Sequence, residues 1–325
     1  MKKILLISNQ RPDNNGIGNP IMTRMLKALS SSNEIENVTF VPFENSIASL
    51  LKIRSASKKY DIIHVHFGGL YALLVLLSLI GTGKTTFITF HGTDIHARSL
   101  ANANSARRRC KIILNQKASF LCISLYDKCG FVAKEMIQYI PKELRERYKG
   151  KFFLQPLGVD YEVFKIIKKE DAQVMLKLPH SNYVLFSDVS NTKIKRRDIA
   201  SDIVKELGNT FTLLTMSGVK PDEVPYYINA CDFAILTSDE EGSPNIIREA
   251  LALNKPFFSV EVGDAVTQLQ GLANSAIISR NPRKAAQTIL EHMARPYIDN
   301  TREKLQDKLD FSRINNSIIK LYKQS

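Results

Sequence analysis

The feature that most constrains the fold of this 325-residue chain is its two series of short apolar runs. Each run is followed by a longer segment with helical spacing. Most runs are rich in Ile, Val, Phe and Leu without strict alternation, which is typical of strands buried on both faces of a parallel sheet. Alternation of such strands with helices predicts doubly wound α/β domains. The predicted strands are 3–8, 38–42, 61–67, 85–90, 120–124 and 152–155, then 183–187, 210–216, 233–237, 256–260 and 276–278.

Helical patterns fill the intervals between these runs. The most apolar one, 70–80, is about half as long as a bilayer span, so it predicts a buried helix and no membrane-spanning segment. Residues 301–325 are predicted to be wholly helical. The other predicted helices are 17–31, 46–57, 103–117, 126–140, 197–207, 224–230, 246–253, 265–272 and 282–293. Two Rossmann-like halves are therefore predicted to face a cleft, and ligands of such sheets bind beyond the carboxyl ends of the strands.

The charge of the chain is unevenly distributed. Residues 1–158 hold 23 Lys and Arg against 10 Asp and Glu, and the remainder holds 22 of each, so the whole net charge of +13 lies in the first half. Such asymmetry favours an anionic partner for the first half, the alternative being a well-solvated basic surface. No nucleic-acid-binding motif accompanies the charge. The four cysteines form no CxxC pair, which is typical of reduced thiols in the cytosol.

The segment EGSPNIIRE, residues 241–249, has the clearest chemistry. Gly242, Ser243 and Pro244 form a turn after a strand, and a helix begins at Pro244 or Asn245. Free backbone N–H groups at the start of a helix behind a glycine turn bind anions. Glu241 precedes the helix and Glu249 lies about one turn inside it, so the two carboxylates are placed to accept hydrogen bonds from separate hydroxyls of one long ligand. Acidic residues that only compensate a helix dipole are the alternative interpretation.

Residues 238–256, SDEEGSPNIIREALALNKP, resemble the E-x7-E signature of the retaining GT-B glycosyltransferases of the group 1 family. One position departs from the pattern, because Asn254 stands where the family has a glycine, and asparagine tolerates the same left-handed turn. Other matches follow in order along most of the chain. They are DIIHVH at 61–66, FHGTD at 90–94, the Ile123-Ser124 pair matched to a strand end, and PLGVD at 156–160 with Leu157 in place of asparagine.

The resemblance implies a GT-B fold of two Rossmann-like doubly wound domains facing a cleft, with a C-terminal helix that crosses back to the first domain. The predicted acceptor-side domain is 1–158 together with the helix at about 305–325. Residues 159–304 are the predicted nucleotide-sugar-binding domain.

The resemblance also suggests roles for individual residues. His91 is expected to contact the transferred sugar or its phosphate, and Asp94 to orient the loop or an acceptor hydroxyl; a structural histidine is the alternative for His91. His64 and His66 are expected to pack within their strand. A second set is expected to bind the donor, namely Gly16 and Gly18 in a loop after the first strand, Lys193, Lys195 and Arg196 near its diphosphate, and Gly242, Ser243, Pro244, Asn245 and Glu249. Glu241 is expected at the sugar, as a catalytic residue with His91 and Asp94.

The function predicted in this way is retaining transfer of a sugar from a nucleoside-diphosphate sugar to a glycan or lipid-linked acceptor, in bacterial surface polysaccharide or glycolipid assembly. The donor is a co-substrate, and no cofactor or metal is expected. A cytoplasmic protein, peripheral at the inner face of the membrane through its basic first domain, is the predicted setting. Two alternatives remain open: a sugar-nucleotide epimerase or hydrolase on the same fold, and a non-catalytic sugar-nucleotide-binding subunit.

Overall fold

The computed structural model describes residues 1–12, 19–96, 103, 105–188, 193–298 and 300–325. The chain forms two compact units. The first comprises Met1–Leu157 and Ser312–Ser325, and the second comprises Gly158–Phe311.

The first unit contains a six-stranded parallel sheet. Its strands are β1 (Lys2–Ser8), β2 (Ile35–Pro42), β3 (Ile62–His66), β4 (Thr85–Phe90), β5 (Lys128–Phe131) and β6 (Phe152–Leu154). Their order in the sheet is β2-β1-β3-β4-β5-β6. Because the chain crosses from β2 over β1 to β3, the strand order reverses between β1 and β3, and doubly wound sheets bind ligands at such a point.

Five helices connect these strands: α1 (Pro20–Ser30), α2 (Ile47–Ser57), α3 (Leu70–Ser78), α4 (Ala106–Leu125) and α5 (Lys142–Tyr148). Successive side chains of a strand face opposite sides of the sheet. Leu5 and Ile7 accordingly belong to the core cluster that contains buried residues of α2, α3 and α4, whereas Ile4 and Leu6 belong to a second cluster with residues of α1. Helices α2, α3 and α4 therefore cover one face of the sheet and α1 covers the other.

Residues 120–124 were predicted as a strand, and that prediction is wrong because they form the end of α4. The Ile123-Ser124 pair therefore lies in a helix and not at a strand end. Ala118, Ser119, Cys122 and Ile123 are the buried residues of α4, a spacing that follows the helical period. A short continuous apolar run does not distinguish a strand from a buried helix segment.

The strand that the sequence did not reveal is β5, in a segment predicted to be helical. Only one of its four residues, Phe131, is strongly β-forming, and Gly130 weakens the pattern further. A Cβ atom at Gly130 would lie 2.6 Å from the Phe153 ring and 2.6 Å from the Thr89 hydroxyl. Close packing within the sheet thus requires a glycine at this position, and the same glycine makes the segment hard to recognise as a strand from the sequence.

The second unit contains a five-stranded parallel sheet in the order β11-β10-β9-β7-β8. Its strands are β7 (Asn182–Ser187), β8 (Phe211–Met216), β9 (Phe233–Leu236), β10 (Phe257–Ser259) and β11 (Ala276–Ile277). Its helices are α6 (Lys169–Met175), α7 (Arg197–Glu206), α8 (Val224–Ala230), α9 (Asn245–Ala252), α10 (Ala265–Leu269), α11 (Pro282–Met293) and α12 (Thr301–Leu309). Here the strand order reverses between β7 and β9.

The end of the chain returns to the first unit, as predicted. Residues 301–325 form two helices rather than one, because α12 ends before Asp310 and α13 spans Phe311–Gln324. Ile318, Ile319 and Tyr322 of α13 pack in the same core cluster as Ile4 and α1. Helices α1 and α13 thus form the second helical layer of the first unit. Among the described residues, none of the helices is both long and apolar enough to cross a membrane.

Candidate functional site

Two loops of the second unit meet at the carboxyl ends of its central strands. The Thr237 hydroxyl after β9 donates to the carbonyl oxygens of Lys195 and Arg196 at 3.0 and 2.9 Å. The Asp239 N–H donates to the Ile194 carbonyl at 2.8 Å. These bonds join the segment after β7 to the segment after β9, on either side of the strand-order reversal.

Lys195 and Glu241 form an ion pair at this junction. The distance from Lys195 Nζ to Glu241 Oε1 is 2.6 Å, and the side chains are 22% and 15% exposed. The pair sits at the entrance of α9, whose first residue is Asn245. Within the part of the chain that the structure describes, the N-cap residue Pro244 makes no side-chain hydrogen bond to α9, so the first N–H groups of this helix can donate to an anion.

Arg196 immediately precedes α7 and has a left-handed conformation with φ 54° and ψ 52°. Its guanidinium donates to both oxygens of Asp198 and, at 3.3 Å, to Asp239. Hydrogen bonding to Asp198 is the main cause that raises the pKa of Arg196 above its already high usual value. The Arg196 charge is therefore compensated within the loop, whereas Lys193 lies exposed in the preceding 3-10 turn.

Arg280, which sequence reasoning missed, fixes the strand-end loop of Glu241. It donates to the Thr237 carbonyl at 3.0 Å, to the Ser238 carbonyl at 2.8 Å and to the Asp239 carboxylate at 3.0 Å. Arg280 follows β11, so its partners are about 40 positions earlier in the chain. No local sequence pattern predicts a contact between residues so far apart in the chain.

The turn of Gly242, Ser243 and Pro244 is fixed by a buried ion pair. Arg248 donates to Asp264 at 3.0 Å, with the two side chains only 5% and 7% exposed. The Ser243 hydroxyl donates to the same Asp264 oxygen at 2.7 Å, and Arg248 also contacts Ser243. The Ser243 hydroxyl is therefore used within the turn, where it hydrogen-bonds to Asp264 and Arg248. The predicted contact of Ser243 with the donor would then be made by its backbone N–H.

A second close contact shapes the same turn. Gly263 has φ 56°, and a Cβ atom there would lie 2.6 Å from the Gly242 carbonyl oxygen. Only glycine permits this approach of two backbones. Glu249 is buried on α9 behind this turn, and Asn254, after the helix, has φ 56°, the left-handed conformation expected of it.

In the first unit, predicted site residues gather at the ends of β3 and β4. The Asp94 carboxylate accepts backbone N–H groups of Gly68 at 2.7 Å, Gly92 at 2.7 Å and His91 at 3.1 Å. Burial raises the pKa of Asp94, and these three hydrogen bonds oppose that shift. Asp94 thus fixes the backbone of the loop after β4, and its role as a site residue stays a prediction.

His91 projects from this loop toward β3. Its Nε2 lies 3.1 Å from Nδ1 of His66, so one ring donates to the other. His91 Nδ1 has no hydrogen-bond partner among the described residues, although it is shielded from water. Burial lowers the pKa of His91 to about 3, so the ring is neutral at pH 7 and offers a donor or an acceptor at Nδ1.

Phe67 is a further residue that sequence reasoning missed. Its ring stacks on His91 with centroids 4.1 Å apart, and its backbone has φ 67°. A bulky residue rarely adopts this left-handed conformation, which costs about 1–3 kcal/mol and concentrates at functional sites. No pattern in the sequence marks a positive φ at a phenylalanine.

The predicted donor-binding residues Gly16 and Gly18 lie outside the described residues. Within the described ranges, no group of three or more His, Cys, Asp or Glu side chains is arranged to hold a metal ion. The expectation of a metal-independent reaction stays a prediction.

Solved structures share this architecture over the whole chain. Anabaena HepE, in complex with UDP and glucose, superposes with a TM-score of 0.72 at 15% identity and covers 100% of both chains. A glycosyltransferase from Rickettsia africae has a TM-score of 0.70 at 14% identity, covering 99% of this chain and 98% of its own. The UDP-GlcNAc 2-epimerase from Neisseria meningitidis, bound to UDP-GlcNAc, has a TM-score of 0.63 at 11% identity and covers 99% and 100%.

No protein-family model matches the sequence, and no curated protein matches it either. At these identities the structural likeness shows the fold alone. Together with the two parallel sheets, it confirms the predicted GT-B fold.

Proposed function

We propose that this protein is a retaining glycosyltransferase that moves a sugar from a nucleoside-diphosphate sugar to a glycan or lipid-linked acceptor. The observation that supports this most is the arrangement after β7 and β9, where Lys195, Glu241 and the uncapped start of α9 come together at the strand-order reversal. A cation, a hydroxyl-binding carboxylate and free N–H groups are what a sugar diphosphate requires. Neighbours that bind UDP with glucose support the same ligand class.

In the proposed complex the donor binds mainly to the second unit. Glu249 accepts the ribose hydroxyls and Glu241 accepts hydroxyls of the sugar. Lys195 and Lys193, with Arg196 and the loop of Gly16 and Gly18, oppose the negative charge that grows on the departing diphosphate. Fixed charges directed at such a developing charge are commonly the largest contribution to catalysis.

Lys195 has a dual role in this scheme. In the structure its ammonium pairs with the Glu241 carboxylate at 2.6 Å. When the diphosphate binds, the ammonium has a second anion to pair with, and Glu241 accepts sugar hydroxyls instead. The ion pair thus keeps both groups in place before the donor arrives.

The first unit contributes His91, whose Nδ1 hydrogen-bonds the sugar or its phosphate, with Asp94 holding the loop. An acceptor hydroxyl bound by this unit attacks the anomeric carbon on the face that the diphosphate leaves, so the configuration is retained. No metal takes part in this scheme. The basic first half suits an acceptor on a lipid at the cytoplasmic leaflet, in bacterial surface polysaccharide or glycolipid assembly.

The test combines binding and turnover. Thermal shifts and donor hydrolysis are measured with UDP-, GDP- and ADP-sugars, and one nucleotide is expected to stabilise the protein. Glu249→Gln should weaken that donor at least tenfold, since the ribose loses an ionised acceptor. The control is Glu206→Gln, the same substitution at an exposed position of α7. Unchanged donor binding in Glu249→Gln would show that the assignment is wrong.

A sugar-nucleotide epimerase or hydrolase is the second candidate, because the Neisseria epimerase shares the fold over the whole chain. Turnover without any acceptor separates the two. An epimerase changes the sugar of its donor when alone, whereas a transferase releases nucleoside diphosphate slowly until an acceptor hydroxyl is supplied.

A further inference from the structure

The outer surface of the α2–α3–α4 layer carries an unusual number of exposed large apolar side chains. The segment 70–80 was predicted to be a buried helix, and this is wrong for one of its faces, because Leu70, Leu77 and Ile80 are 52%, 47% and 65% exposed. We call the whole set the outer leucine surface. Its members are Ile47, Leu51, Leu70, Leu74, Leu77, Ile80, Ile113, Leu114, Leu121 and Leu125.

The opposite helical layer of the same unit differs. Helices α1 and α13 bury their apolar residues against β1 and β4, and none of their described large apolar side chains is exposed. Both helical layers cover the same sheet of the same chain. A general excess of apolar residues in the protein therefore does not explain why one layer exposes large apolar side chains and the other does not. Contiguous exposed apolar surface on a monomer marks an interaction site.

The exposed residues follow the helical period, so each helix presents one stripe. Leu70, Leu74 and Leu77 recur at i, i+4 and i+7 along α3. On α4 the stripe is formed by Leu114, Leu121 and Leu125, while Cys122 and Ile123 face the core. The two helices pack against each other. Asn115 of α4 also accepts the Leu70 N–H at 3.1 Å, so the stripes are held side by side.

The charges on this layer have one sign. Helices α2, α3 and α4 contain seven Lys or Arg residues and no Asp or Glu. Four of the cations, Arg107, Arg108, Arg109 and Lys111, occupy the first two turns of α4, and all four are exposed. A surface that combines apolar stripes with cations, on helices whose described residues include no carboxylate, complements anionic lipid headgroups above their acyl chains.

The inner face of α4 holds the loop of His91. The Ser119 hydroxyl donates to the Asp94 carbonyl at 2.5 Å, and the Gln116 amide donates to the Ile95 carbonyl at 2.9 Å. One helix thus presents leucines and arginines outward and fixes the strand-end loop on its other side. A molecule bound at the outer leucine surface is therefore connected to the His91 loop through a single rigid element.

We propose that the outer leucine surface docks on an anionic bilayer, with Leu114, Leu121 and Leu125 entering the headgroup region and the arginines of α4 contacting lipid phosphates. This rests on the proposed function in one respect: it makes a lipid the carrier of the acceptor hydroxyl. Docking through α4 then holds the His91 loop one helix thickness from the membrane surface on which such an acceptor lies.

Vesicle flotation tests the docking. The full chain is mixed with vesicles of phosphatidylcholine alone, or of phosphatidylcholine with phosphatidylglycerol, and we expect at least tenfold more bound protein on the anionic vesicles. Leu114→Ser with Leu121→Ser should lower that binding at least tenfold. The matched control is Leu290→Ser with Met293→Ser on α11 of the second unit, two side chains of similar exposure at 48% and 41%, and it should bind as the unchanged protein does.

Cys110 provides a second measurement. It is the one exposed cysteine, the other three being buried, and it lies one turn before Leu114 on α4. A polarity-sensitive dye on Cys110 should shift to the blue with anionic vesicles and stay unchanged with phosphatidylcholine alone. A dye that does not respond while the protein floats would show that another surface binds the lipid, and would overturn the proposal.

Failure of the docking and failure of the proposed function give different results. The docking is refuted if the unchanged protein binds both kinds of vesicle equally, or if the leucine variant binds anionic vesicles as well as the unchanged protein does. In either case the thermal shift with the nucleotide-sugar persists. Absence of that shift with flotation intact refutes the transferase assignment alone. If sedimentation shows a dimer that the leucine substitutions convert to a monomer, a second copy of the chain covers the surface, and the bilayer proposal is wrong.

Discussion

The ring of Phe67 lies face-on against the imidazole of His91, with 4.1 Å between centroids, although Phe67 must adopt φ 67° to reach it. The same imidazole is hydrogen-bonded to His66. His91 is therefore restrained on two sides, by stacking and by a hydrogen bond, while Nδ1 has no partner among the described residues.

Substitution at Phe67 separates the backbone strain from the stacking. Phe67→Gly should be about 1 kcal/mol more stable than Phe67→Ala, the reverse of the usual order, because glycine adopts a positive φ without penalty. Both variants should lower the transfer rate and leave the donor thermal shift unchanged. Urea unfolding and initial rates measure the two effects. If alanine is the more stable, the left-handed conformation is not a constraint at this position.

Lys195→Met tests the proposed stabilisation of the leaving group. We expect transfer to fall about 100- to 1,000-fold, as when one donor to a developing charge is removed. Stability should change by less than about 1 kcal/mol, since the ion pair with Glu241 is partly exposed. Lys205→Met, which removes an exposed ion pair with Asp202 on α7, is the control. Equal rates for the two variants would exclude Lys195 from the reaction.

Arg248→Met should destabilise the second unit by about 3–5 kcal/mol, because it leaves the buried Asp264 carboxylate without its cation. The double variant with Asp264→Leu should recover most of that loss, since no unpaired charge remains. Chemical unfolding measures both. An additive double variant would mean that the two residues act independently.

The buried histidines make stability depend on pH. Burial lowers the pKa of His64 to about 3, so between that value and its unfolded pKa near 6.5 only the unfolded state binds the proton. Stability must therefore fall as the pH decreases through this window. From pH 7 to pH 5 the loss is about 2 kcal/mol for His64 alone.

His64→Gln should remove that share of the pH dependence. His91, whose pKa burial also lowers to about 3, retains its own contribution, so a residual slope is expected. The measurement is the free energy of unfolding in urea at several pH values. Parallel slopes in the variant and the unchanged protein would contradict a native pKa this low.

Much of the architecture was accessible from the sequence because it follows from local patterns. Apolar runs placed ten of the eleven strands found in the described residues, and the return of the last helix followed from the resemblance. Strand β5 was not predicted because Gly130, which close contact with Phe153 requires, has a low β-propensity. The apolar run of α4 was misread because strand and buried helix share that composition.

The candidate site was less accessible, for a different reason. The segment EGSPNIIRE predicts the turn and the helix. The side chains that fix this region, Asp264 and Arg280, are distant from the segment in the sequence. Their contacts are products of tertiary folding. The assignments of Glu241, Glu249 and His91 to a ligand stay predictions until donor binding is measured.

The packing of α13 on β1 has a consequence for biosynthesis. The whole of Gly158–Phe311 lies between the two segments of the first unit in the chain. A ribosome therefore completes the second unit before it releases Ile318, Ile319 and Tyr322, which cover Ile4 and Leu6. Until residues 312–325 emerge, α1 packs on that face of the first sheet without α13, so the nascent first unit needs shielding from aggregation for longer than the unit made after it.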